Sequence, residues 1–196
     1  MKTRVKKFFY DLETTGVDHR RNGIHQLAGC IEIDGEIVEN FNFKVAPNPK
    51  AIIEEEALKV GGVTLEQIQA YDVMDKVFRK FKVLLSKYCD PYDKSDKMYL
   101  VGFNNAHFDD SFLRAWFTQN GDSYFGSWFH AGSLDVMVLA SQYLIERRHN
   151  MPNFKLMSVA REVGIVIYES KLHDANYDIL ITRAVYNIVT GIDFEL

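Results

Sequence analysis

Cysteine is scarce: Cys30 and Cys89 are the only two among 196 residues. Two thiols cannot build a disulfide framework, which excludes a cross-linked secreted scaffold and points to a reducing compartment, the cytoplasm. No apolar run comes near the ~18 residues that a transmembrane helix needs. The basic start Met1-Lys-Thr-Arg-Val-Lys-Lys7 is followed only by Phe8-Phe-Tyr10 before Asp11 intervenes, so no signal-peptide core is expected. Positive charge is also short: 23 Lys and Arg stand against 27 Asp and Glu, a net charge of −4. That argues against a protein held to nucleic acid by a broadly basic surface. Repeats, low-complexity tracts and linkers are missing. What remains is an ordinary globular composition, 47% hydrophobic and 26% charged. A chain of this length suits one domain, residues 1–196, and can bury roughly 70% of its unfolded surface.

The hydrophobic pattern changes period along the chain. Val5–Tyr10 is β-prone and apolar, and Ile24–Ile33 and Glu36–Val45 flank Asp34-Gly35, a two-residue hairpin turn. Thr64-Leu-Glu-Gln67 has the form of a capping box opening a short helix. Met74, Val77, Phe78, Phe81, Leu84, Leu85 and Tyr88 keep helical spacing over four turns. After the polar loop Asp90–Lys97, Met98–Phe103 reads as a strand and Asp109–Asn120 as a helix stopped by Gly121. Phe125–Leu134 is expected to hold another strand. Helices are expected over about Asp135–Arg147, Leu156–Val163 and Asp174–Thr190. A three-stranded meander followed by alternating strand and helix implies a mixed α/β sheet with helices on both faces.

Three short segments carry chemistry. In Phe9-Tyr-Asp-Leu-Glu-Thr-Thr-Gly16, Asp11 and Glu13 are two apart, so an extended strand points both to one face. Two carboxylates near a core repel each other and lose solvation, a conflict that a divalent, oxygen-seeking ion relieves; Mg²⁺ or Mn²⁺ suits them best. Thr14, Thr15 and Gly16 then form a tight turn whose N–H groups could approach a phosphate. In the second segment, Gly102 to Leu113, Asp109 opens a helix and shares its apolar face with Phe112, Leu113 and Trp116, whereas Asp110 should face solvent. In the third, Leu172-His-Asp-Ala-Asn-Tyr-Asp178, Asp178 lies inside the last helix. His173 precedes that helix and can serve the same site only from the loop, where its near-neutral pKa would suit a general base.

Together these segments resemble the DEDDh family of 3′–5′ exonucleases, which includes polymerase epsilon-subunit-like and ribonuclease T-like enzymes. The likeness spans nearly the whole chain. Phe9–Gly16 matches the first family motif, Asn105-Ala-His-Phe-Asp-Asp-Ser-Phe-Leu113 the second, and His173–Asp178 the third. The segment Ala57–Thr64 looks like the one preceding the family's first helix, although Gly61 stands where members often carry a bulky residue or His. The resemblance implies a ribonuclease H-like three-layer fold around a mixed five-stranded sheet. It implies Asp11, Glu13, Asp109 and Asp178 as ligands of two Mg²⁺ or Mn²⁺ ions. It further implies His173 as general base in the release of nucleoside 5′-monophosphates. Two ions ~4 Å apart would clamp the attacking and leaving oxygens of an in-line displacement.

The four acids account for the whole net charge, so bound metal rather than surface charge would attract phosphate. His19, Arg20 and Arg21, and Arg147, Arg148 and Lys155, are weaker candidates for backbone contact. A frayed end also needs something to stack on. Leu12 is the candidate because it points away from both neighbouring carboxylates, and Asn105 is a candidate backbone contact. The expected partner is single-stranded or frayed nucleic acid, DNA favoured over RNA, with no membrane. An RNA-directed enzyme of the same fold and a non-catalytic binding module are the alternatives. A polymerase partner is possible by analogy, though no long C-terminal tail follows Thr190 to tether one.

Overall fold

In a computed structural model, residues 4–168 and 175–191 are described. Five strands form one sheet in the order β3-β2-β1-β4-β5. β1 (Lys6–Thr14), β2 (Ile24–Ile33) and β3 (Glu36–Lys44) make the antiparallel meander. Asp34 and Gly35 adopt positive φ at its hairpin, as a tight turn between twisted strands requires. β4 (Tyr99–Gly102) joins β1 in parallel, and β5 (Leu134–Asp135) joins β4 likewise. This is the ribonuclease H-like α/β arrangement.

Alternation along β1 sends its side chains into two cores. Phe8, Tyr10 and Leu12 enter a cluster with α3 (Met74–Ser86), α4 (Asp109–Gln119) and α5 (Phe125–Trp128). Phe9 enters the other, with α6 (Val136–Tyr143), α7 (Leu156–Glu162) and α8 (Ala175–Val189). Two short helices, α1 (Glu55–Val60) and α2 (Leu65–Gln69), bridge β3 to α3; α2 opens on the expected capping box between Thr64 and Gln67. Among the described residues no helix is long and apolar enough to cross a membrane.

Three local expectations need correction. Phe125–Leu134 is mostly not strand: it opens with the helical turn α5, forms an isolated bridge from Phe129 to Met98, the residue before β4, and ends in β5. Aromatic residues favour strands on a half-buried face. Here Phe125 is instead held with its ring 5.1 Å from Phe117 and 5.0 Å from Phe129. The segment before Thr64 is helical in its first part, where α1 runs to Val60, and Gly61 and Gly62 turn the chain. The helix from Asp135 stops at Tyr143, and the N–H groups of both Arg147 and Arg148 turn back to the Leu144 carbonyl.

Candidate active site

The site lies where β1 outruns β4. Parallel pairing ends at Phe9 with Val101, so beyond it one edge of β1 has no strand beside it. Asp109, the first residue of α4 and 5% exposed, reaches that edge, where its Oδ1 accepts a hydrogen bond from the Leu12 N–H at 3.1 Å. A carboxylate from the second motif is thereby fastened between Asp11 and Glu13. Asp11 and Glu13 share the α8 face of the sheet, as their spacing predicts, and pair in register with Ala28 and Gln26.

The electrostatics tie the acids together. Burial and the charges of Glu13 and Asp178 push the Asp11 carboxyl up to about 7. Asp109 is pushed well above the carboxylate range, first by burial and then by Asp11, although the Leu12 N–H acts in the opposite direction. Asp178, in the first turn of α8, is thus the third stretch to meet the pair. Hard oxygen donors that raise one another's pKa are the donor set that suits a divalent cation. Among the described residues, no three such side chains already close around a common point. His173 lies outside the described residues.

Around the acids, several assignments change. Thr15 is fully buried and its groups are committed: its N–H donates to the Gly23 carbonyl, while its hydroxyl donates to the Ile52 carbonyl and accepts from the Gly23 N–H. Thr14 donates its hydroxyl to the Gly16 carbonyl. Their side chains brace the turn, and the Thr15 N–H is not available to a phosphate, contrary to expectation. Asn105 is fully buried and its amide donates to Asp110 at 3.3 Å, a role at the strand end and not on a substrate-facing surface. Leu12 points away from the carboxylates as expected, but it packs in the core and is only 5% exposed, so little of it is presented for stacking.

Asp110 also departs from the expected solvated position. It accepts hydrogen bonds from the Tyr10 and Ser133 hydroxyls as well as from Asn105, and so holds the start of α4 against β1. Asp135 acts on the neighbouring loop. Its carboxylate accepts from the N–H groups of Asn104, Ala106 and Met137, fixing the turn between β4 and α4 in which Asn104 has a φ of 65°. Asn22 latches the loop after β1: its amide donates to Ile52 and Glu54, and it accepts from the Asp18 N–H. Gly16 makes that closure possible, since a Cβ there would lie 2.3 Å from the Asn22 amide nitrogen. Only the bare asparagine and aspartate letters were visible in sequence. Their partners lie up to 100 residues away.

Of the basic candidates, Arg148 donates to Ser141 and lies 4.0 Å from the Phe154 ring centre, and Arg147 pairs with Glu162 at 3.5 Å. These two stabilise the α6–α7 connection. Arg20 and Arg21 are exposed beside the site loop.

Carboxylates gathered beyond the end of a parallel strand pair, on a ribonuclease H-like sheet, point to a nuclease class of protein. The comparisons narrow that class. The chain matches the RNase T family model, described as an exonuclease, over residues 8–186, and it belongs to that family. It is similar to exodeoxyribonuclease I of Escherichia coli, 28% identical over 197 residues, covering 92% of this chain and 39% of that protein. It is similar to a PolC-type DNA polymerase III of Mycoplasmopsis pulmonis, 25% identical over 169 residues, covering 86% of this chain and 10% of the other. Among solved structures, a zinc-bound complex of E. coli exonuclease I with single-stranded DNA superposes with a TM-score of 0.75 at 23% identity, over 95% of this chain and 40% of that one. The likeness to that structure is one of fold. The chain thus spans about two fifths of the exonuclease I proteins and a tenth of the polymerase.

Proposed function

We propose that this chain, acting as a single exonuclease domain, is a metal-dependent 3′–5′ exonuclease that removes nucleoside 5′-monophosphates from single-stranded or frayed DNA. The observation that carries this reading is the condition of Asp11: it faces two further carboxylates, and burial first, then their charges, push its carboxyl up to about 7. Such a group is a poor structural element and a good cation ligand.

Asp11, Glu13, Asp109 and Asp178 would hold two divalent ions, Mg²⁺ or Mn²⁺. When bound, the ions supply a lowered pKa for the attacking water and charge neutralisation at the phosphate and leaving 3′-oxygen. The chain's own residues do the rest. The Leu12 N–H keeps the Asp109 carboxylate turned toward β1. Asp110 and Asp135 keep α4 and its preceding loop from drifting away from the strand. His173 accepts the proton of the attacking water. The relatives named exodeoxyribonuclease I support DNA over RNA. The polymerase relative fits a nuclease working within or beside a polymerase. Both cysteines are free and buried, which fits a reducing cytoplasm.

The test is the shortening of a 5′-labelled DNA oligonucleotide with release of mononucleotides. Activity in Mg²⁺ or Mn²⁺, blocked by chelator and by a modified 3′ end, is expected, with a matched RNA cut more slowly. No cleavage with either ion would refute the reading. His173→Ala should leave the melting temperature alone and lower the rate by about 10²–10⁴-fold, the range that general bases contribute.

A further inference from the structure

Among the described residues, His25 stands out as a buried ionisable group near the site that the proposed chemistry leaves unused. It is 1% exposed, and neither ring nitrogen has a hydrogen-bond partner. An imidazole left so destabilises a folded protein, which makes a partner acquired in the working state the economical explanation. The residue reaches its place through an irregularity: the β1–β2 register shifts between Glu13 and Thr14, so that Thr14 pairs with Ile24 and His25 has no opposite residue. Bulges of this kind re-aim a side chain beside active sites.

What His25 is aimed at is marked by Gly61, the residue that closes α1. A Cβ on Gly61 would stand 3.5 Å from His25 Nε2 and 3.4 Å from Glu13 Oε2. The imidazole and the carboxylate therefore border the same small window, left open by the missing side chain. Gly61 has no conformational need to be glycine, since its φ of −75° suits any residue. A neutral imidazole carries one N–H donor.

We propose that His25 is a positioning residue for Glu13: its Nε2–H donates to Glu13 Oε2 across the Gly61 window, directly or through one water, and so orients the carboxylate toward metal. The inference rests on the exonuclease reading in taking Glu13 as a metal ligand. Ligating carboxylates are generally held by such outer hydrogen bonds, and their loss costs about 10–100-fold in metal affinity.

The experiment measures Mn²⁺ affinity by calorimetry and by the spectroscopic signal of free Mn²⁺, together with melting in chelator, on the full chain and on His25→Phe, His25→Gln and Gly61→Ala. His25→Phe should lose about 10–100-fold in Mn²⁺ affinity while melting no lower than wild type, because an unpaired polar ring is replaced by an apolar one. His25→Gln, whose amide can donate from a similar reach, should stay close to wild type. Gly61→Ala should weaken Mn²⁺ binding several-fold at undiminished stability, by placing a methyl group in the window. If His25→Phe does not fold, the last two variants carry the test. Unchanged Mn²⁺ affinity in the Phe or Ala variant, with a wild type that binds Mn²⁺ and cleaves, overturns the inference and leaves the exonuclease reading standing. A raised KM at unchanged Mn²⁺ affinity also overturns it and assigns His25 to substrate. A wild type without Mn²⁺ binding overturns both.

Discussion

One face of β1 carries Lys7, Phe9, Asp11 and Glu13, and it buries charge at both ends. At the Lys7 end, Glu32 sits directly opposite in register and is 1% exposed. Lys7 meets one of its oxygens at 2.7 Å and Arg183 the other at 2.6 Å; Arg183 also donates to the Gly35 carbonyl, and Lys7 lies over the Tyr186 ring. Each buried charge has a partner within the chain. Four residues further along, Asp11 is surrounded by carboxylates and is pushed up to about 7. Both ends lie on the α8 face of the sheet; the Lys7 end is the more deeply buried, and the sign of the neighbouring charges differs. The Lys7 end holds β2 to α8, and under the proposed function the Asp11 end takes its cations from outside.

Four measurements press on that contrast. The largest effect is expected from Asp11→Ala or Asp109→Ala, which should take cleavage to background, a fall of roughly 10⁴-fold if metal stabilises the transition state by several kcal/mol. Glu32→Ala should leave activity per folded molecule intact but cost about 3–5 kcal/mol in denaturant unfolding, because two cations stay buried without their partner. If both substitutions damage stability equally, the contrast is wrong. Asp11→Asn should do the reverse of Glu32→Ala in chelator. The folded-state pKa of Asp11 is raised, so wild type loses stability as pH climbs from about 4 toward 7, and the variant should gain on it over that window. His25, whose pKa is lowered to about 4, pulls the other way in both proteins and cancels in the comparison; Asp72, lowered to about 2, acts only in stronger acid. Mn²⁺ should raise the melting temperature of wild type more than that of the variant. The smallest effect is Thr64→Ala, which removes the exposed capping box of α2 and should cost about 1 kcal/mol equally with and without metal.

The elements that were legible in sequence owe their form to local pattern. The Asp34-Gly35 hairpin, the apolar stripe of α3 and the period-two placement of Asp11 and Glu13 all depend on residues a few positions apart. Asp109 was legible for the same reason, since its helical spacing from Phe112 and Trp116 turns it inward. What could not be read depends on distant partners. Asp110 looked solvated because nothing nearby reveals that Tyr10, a hundred residues earlier, and Ser133 donate to it. Thr14 and Thr15 looked available because their bonds to Gly16, Gly23 and Ile52 form only when the loop closes. Phe125–Trp128 looked like strand because aromatic content does not disclose whether rings will pack against a sheet or against one another.

The unequal length of two neighbouring strands has a last implication. Because β4 stops at Gly102 while β1 runs on to Thr14, the sheet ends in a step instead of a straight rim. A step of this sort offers main-chain donors to the first group that arrives, and here Asp109 occupies the Leu12 donor. Extending β4 by a pair of residues would therefore compete with Asp109 for the same N–H. An enzyme of this design should tolerate insertions in its outer loops far better than any lengthening of its shortest inner strand.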